Sequence, residues 1–239
     1  MNAIARQDFS EFLDFIRTLS IDGVVQDATR VAEIRKAHAQ FLALLTTVGE
    51  LVSDAGSVRN EFVADYDEVG KSYLGEVVSD CSEFVMSVLL GLCRSAGGTL
   101  RSSIESYLKA FSAKEQPLIL KRTSVPDVFD DAAGVAFFSS PIGKSVISDL
   151  KVIYGELNAY VHTVSDARMF GAIAIGSFPR WSEKNAELVD IFIRVVRLFL
   201  YGIVGNRRDF YDVFDHRNKV VISRAMTRVQ RRSALGVDD

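Results

Sequence analysis

Apolar residues return at three- and four-residue steps along most of this chain, with short polar stretches between the runs. Over 8–19, Phe9, Phe12, Leu13, Phe15, Ile16 and Leu19 keep that period, as an amphipathic helix requires. A longer helix is predicted over about 27–52. There Val31, Ile34, Ala37, Phe41, Leu44, Leu45, Val48 and Leu51 hold one stripe for roughly six turns. Residues 53–60 read as a connector. The period resumes at Glu61, passes Tyr66 and a break at Gly70, and continues from Ser72 toward Cys93. The pair Gly97-Gly98 predicts a break, a hinge or a close helix crossing, since each mid-helix glycine costs about 1 kcal/mol against alanine. Thr99 or Ser102 caps the next helix, which buries Ile104, Leu108 and Phe111.

Residues 113–125 read as a loop and 126–133 as a short helix. The stretch 141–165 then opens with Ser139 or Ser140 as N-cap and Pro141 near the first helical position, where its missing N–H costs nothing. Its stripe is Ile147, Leu150, Tyr154, Leu157 and Val161. Residues 166–181 predict a packed loop or broken helix. Ser182 and Glu183 start a helix through Leu200, ended by Gly202 and Gly205, and a basic tail helix follows over about 207–232. No sustained period of two occurs, and the β-branched run 220–222 is too brief for a sheet. The expected fold is all-α, a multi-helix bundle with long N-terminal helices. It divides into an N-terminal helical region suited to oligomerisation (1–69), a helical core (70–165) and C-terminal helices with a basic tail (166–239).

Composition narrows the class. The chain has 239 residues, of which 48% are hydrophobic and 25% charged, the balance of a folded globular protein. No secretory signal is visible at the N-terminus. The apolar run 84–93 is half a bilayer span, and Asp190, Arg194 and Arg197 interrupt 189–204, so no membrane partner is expected. Cys81 and Cys93 form no CxxC and are expected as reduced thiols of a cytoplasmic protein. The net charge of −3 hides an asymmetry: 205–232 carries eight basic against three acidic side chains, a local +5. Arg217, Arg224, Arg228 and Arg231 fall at steps that line one helical face, and are either the RNA-binding residues or a solvated or protein-contacting face. Phe210, Tyr211 and Phe214 would either stack on bases or anchor the tail to the core.

Motifs for phosphate loops, nucleophile elbows and zinc proteases are absent. Three histidines without a paired ligand give no metal and no cofactor, and His38, between Ala37 and Ala39, reads as a surface or packing residue. Two polar groupings remain. Asn158 and His162 stand one helical turn apart, about 6 Å along the axis, on a ridge beside the 141–165 stripe. Arg101 and Glu105 have the i,i+4 spacing of a helix ion pair.

The segments LRSSIESYLKAF (100–111) and YGELNAYVHT (154–163) resemble the two core helices of HEPN-like domains, all-α modules of toxins, CRISPR effectors and phage-defence systems. The resemblance covers roughly 70–165. Active members of that superfamily are metal-independent RNases whose motif is an arginine, a polar residue and, within about two turns, a histidine. Asn158 takes the polar place and His162 the histidine place, while Leu157 stands where the arginine is expected. The resemblance implies an endoribonuclease acting in defence or as a toxin, with His162 as general acid/base and Asn158 orienting it or the substrate. Arg101 would supply the missing positive charge, with Glu105 holding it. It also implies a homodimer or a partner in a defence complex. With the motif incomplete, the alternative is a catalytically inactive scaffold or sensor subunit.

Overall fold

Asp27 ends the approach to the longest helix, its Oδ1 accepting from the N–H groups of Thr29 (2.8 Å) and Arg30 (3.1 Å). Those are donors that a helix start leaves without partners. The computed structural model describes residues 3–18, 25–52, 68–161 and 181–236. They form α1 (Ala3–Thr18), α2 (Ala28–Val52), α3 (Glu68–Leu89), α4 (Cys93–Ser112), a 3-10 turn (Pro117–Lys121), α5 (Val125–Ala133), α6 (Ala136–Ser139), α7 (Pro141–Val161), α8 (Glu183–Asn206), α9 (Arg208–Val213), α10 (His216–Ala225) and α11 (Arg228–Leu235). No strand occurs among the described residues. The protein is an all-α multi-helix bundle.

Helix α8 is its axis. It packs against α2, α7, α4 and α11 and touches α3 and α9. Phe192, Val195, Val196, Phe199, Leu200 and Val204 on it are at most 1% exposed. Helices apolar on so much of their circumference belong in the middle of a core. Phe192 stacks on Phe84 of α3 at 4.6 Å between centroids, and Phe199 on Tyr107 of α4 at 4.3 Å. Two polar ties fix α7 beside it: Arg194 donates from both terminal nitrogens to Glu156 at 2.9 Å, and Tyr160 donates to Glu187 at 2.6 Å. The buried Asn185 holds the start of α8 in place. Its Oδ1 accepts from Ser182 N–H (2.8 Å), and its Nδ2 donates to the Val88 carbonyl (2.9 Å). No helix among the described residues is long and apolar enough to cross a membrane.

Several boundaries differ from the sequence expectation. Helix α3 runs through Gly70, and the break before α4 falls at Gly91, whose φ of 68° places it in the left-handed region that favours glycine. Gly97 lies inside α4 at a crossing: a Cβ there would stand 2.9 Å from Tyr160 Cβ of α7. Helix α8 likewise continues past Gly202 and Gly205. The expected single tail helix is three helices. Asp215 caps α10, accepting from Arg217 N–H at 2.8 Å. Thr227 and Gln230 cap α11 reciprocally, at 3.2 and 2.9 Å. Phe210, Tyr211 and Phe214 are buried, so they anchor the tail.

The three sequence regions share one core, which runs from Phe9 to Leu235. The stripe of α2 is spent on α8, α10 and α3. Glu50 of α2, 8% exposed, accepts from Asp215 N–H at 3.3 Å and Asn218 Nδ2 at 2.5 Å, and Gln40 donates to the Ala225 carbonyl at 3.2 Å.

Candidate functional site

The N-cap expected for α7 is Ser140: its Oγ accepts from Gly143 N–H at 2.9 Å, and Pro141 follows as the first helical residue. The register so set turns Val146, Leu150, Ile153 and Leu157 into the core. It brings Tyr154, 6% exposed, against α4. There the phenol joins the two charges chosen from the sequence. Arg101 donates from Nη2 to the Tyr154 hydroxyl at 2.5 Å, and the hydroxyl donates onward to Glu105 Oε1 at 2.8 Å. The guanidinium also lies over the Tyr154 ring, 4.6 Å from its centroid. Arg101 and Glu105 therefore meet through a tyrosine of the facing helix, where the spacing alone had predicted a direct pair. Burial, together with the acceptor Glu105, pushes the Tyr154 hydroxyl up to about 12, against the pull of Arg101. The phenol stays protonated at neutral pH and serves as donor to one charge and acceptor from the other.

Asn158 sits one turn beyond Tyr154, half-buried, and its Oδ1 has no hydrogen-bond partner among the described residues. Arg101 Nε is likewise buried without one. Leu157, in the place of the motif arginine, is 0% exposed and packs in the core. His162 follows Val161, the last residue of α7, and lies outside the described residues.

Glu105 also borders a groove of about 620 Å³ between α3 and α4, shared with Glu68, Glu76, Ser102 and Lys109. Beside it, Asp80 of α3 is half-buried with Oδ2 unpartnered. Burial pushes its carboxyl up to about 6, helped by Glu76 and Glu83 and opposed by the hydroxyls of Ser102 and Ser106. Because the folded value lies above the unfolded one, holding Asp80 ionised costs nothing at acid pH. The cost grows as pH rises from about 4 to 6, then stays constant. Asp80→Asn should therefore stabilise the protein by about 1–2 kcal/mol at neutral pH, discounted for partial exposure, and leave it unchanged near pH 4. Urea melts at the two pH values check this.

The tail arginines are elsewhere. Helix α10 packs on α2 and α11 on α8, whereas the polar cluster lies between α4 and α7. Arg217, Arg224 and Arg228 are exposed, but the break before Thr227 separates Arg217 and Arg224 from Arg228 and Arg231, so the four do not share one helical face. Arg231 is half-buried and donates to the carbonyls of Ser223 (3.4 Å) and Met226 (3.1 Å), closing the end of α10. These bonds give Arg231 a structural role at that corner. No group of three or more metal-ligating side chains occurs among the described residues.

Sequence reading had assigned Tyr154 to the core by its place in the stripe. The ring obeys that assignment and the hydroxyl does not, since one polar atom leaves no trace in a hydrophobic period. No protein-family model, no curated protein and no solved structure matches the chain.

Proposed function

We propose that the protein is a metal-independent endoribonuclease of HEPN-like type, acting as a defence or toxin-type effector. The observation that carries this reading is the reach of Arg101 from α4 across to Tyr154 on α7, one turn before Asn158. Leu157 withholds a cation from the RNA, and the facing helix supplies one. In this reading His162 moves the 2′-hydroxyl proton, and Asn158 uses its unpartnered Oδ1 to orient it or the substrate. Arg101, with Nε still unpartnered, faces the charge that builds on the phosphorus. Tyr154 and Glu105 are positioning residues that hold the guanidinium. The acidic groove at Glu105 repels phosphate, so the RNA backbone belongs on the Arg101–Asn158 side. The exposed Arg217, Arg224 and Arg228 would gather RNA at longer range.

Purified protein incubated with single-stranded RNA and EDTA should cut it. His162→Ala should abolish cutting with helix content unchanged, and Arg101→Gln should slow it by about 10²-fold or more. No cutting at any protein concentration would sink the reading.

A second reading is a non-catalytic helical scaffold or sensor subunit of a defence complex. It is favoured by the burial of Leu157 and by the engagement of Arg101 with both hydroxyl and ring of Tyr154, an arrangement that also serves as a clasp between helices. It gives no cutting in the same assay.

A further inference from the structure

Away from the α4–α7 cluster, α1, α2 and α3 enclose a half-open pocket of about 400 Å³. Its walls are apolar: Phe12, Phe41, Leu42, Leu45, Val85 and Met86. At its α1 side stand two carboxylates, Asp8 and Glu11, and among the described residues no lysine or arginine lines it. Arg35 lies instead over the Phe9 ring, 5.1 Å from its centroid.

His38 fixes one wall. It is 6% exposed, set between the rings of Phe9 and Phe12 at 5.5 and 5.1 Å, with Nε2 2.5 Å from Asp8 Oδ2. Burial lowers its pKa while Asp8 opposes that shift. Glu11 accepts from Gln7 Nε2 at 3.3 Å. Volumes of about 300–1,000 Å³ with apolar walls and a few convergent polar groups are those of small-ligand sites.

We infer that this pocket binds a small hydrophobic amine, its apolar body against Phe41, Leu45 and Met86 and its ammonium group between Asp8 and Glu11. The sign follows from the lining. A carboxylate ligand would face two like charges with no lysine or arginine among the described lining residues to offset them, while an ammonium finds two acceptors. The pocket is preformed by three helices, so binding needs no rearrangement of the core.

The test uses the full chain with n-octylamine, 1-octanol and octanoate as probes at neutral pH, followed by calorimetry and by the His38 ring signals in NMR spectra. n-Octylamine should bind saturably and shift the His38 signals. Octanol should bind more weakly and octanoate not at all. Glu11→Gln, at an exposed position, should weaken n-octylamine about tenfold, the loss of one charge-assisted contact. Leu45→Trp, also partly exposed, should weaken all probes by filling the space. Failure of n-octylamine to bind, equal binding of octanoate, or binding unchanged in both variants would each overturn the inference.

Discussion

Gly143→Ala is expected to destabilise the protein by about 3 kcal/mol, more than Gly202→Ala at about 2 kcal/mol. Only the second loss should be recoverable. A Cβ at Gly143 would meet the Phe137 carbonyl oxygen at 2.5 Å and Phe138 Cα at 2.6 Å. These are main-chain atoms of α6, which turns directly into α7, and neither can swing aside. A Cβ at Gly202 would meet the Tyr107 hydroxyl, 2.4 Å away, and nothing else closer than 3.6 Å. That hydroxyl donates a long bond to the Phe199 carbonyl at 3.3 Å. Tyr107→Phe removes the obstructing atom, so the pair Gly202→Ala/Tyr107→Phe should be more stable than Gly202→Ala alone. The same phenylalanine should do nothing for Gly143→Ala. Denaturant melts of the four variants decide it, and a Gly143→Ala as stable as Gly202→Ala would mean that the α6–α7 corner yields.

Tyr154→Phe should cost about 2 kcal/mol, because one hydroxyl satisfies two charged groups in a half-buried place. Without it Arg101 and Glu105 lose their shared partner while staying out of full contact with water. The decisive measurement is a double-mutant cycle with Arg101→Met, which keeps the side chain's length and removes its charge. Coupling of about 1–2 kcal/mol is expected, since either change alone breaks the same link. Additive losses would show that phenol and guanidinium are neighbours without energetic linkage. Arg101→Lys separates stability from chemistry. It keeps a positive charge but forfeits the planar stacking on Tyr154, so part of the stability should be lost while a nuclease would keep partial activity.

The helices were legible wherever burial repeats with the helical turn. α2 came out nearly to the residue, and α7 did so at its start, because Asp27 and Ser140 with Pro141 announce those starts. Breaks were harder. Gly97-Gly98 leaves a break, a hinge or a close crossing open in the sequence, and Gly97 proves to be the crossing, although its partner Tyr160 lies too far along the chain to be read locally. Gly91, the true corner, sat in an apolar run that concealed it. The tail was misread although Thr227 and Gln230 spell a capping box, because the spacing of the arginines suggested continuity. At the candidate site, Arg101, Glu105 and Asn158 were visible as polar residues on helices of the right period. Their link through Tyr154 was not, since the contact spans 53 positions. His38 needed Asp8, from another helix, to declare itself a packed and paired group.

The place of α8 in the chain order has a further consequence for biosynthesis. The stripe of α2 is complete at Val52, but its chief partner ends at Asn206. At about 5–20 residues per second, a ribosome leaves that apolar surface waiting on the order of ten seconds or more. Over that interval the unfilled part of the α2 stripe is open to chaperones and proteases. The local pair α3–α4 can pack early, but the docking of α2 onto its full set of partners must wait for the central rod to emerge from the exit tunnel.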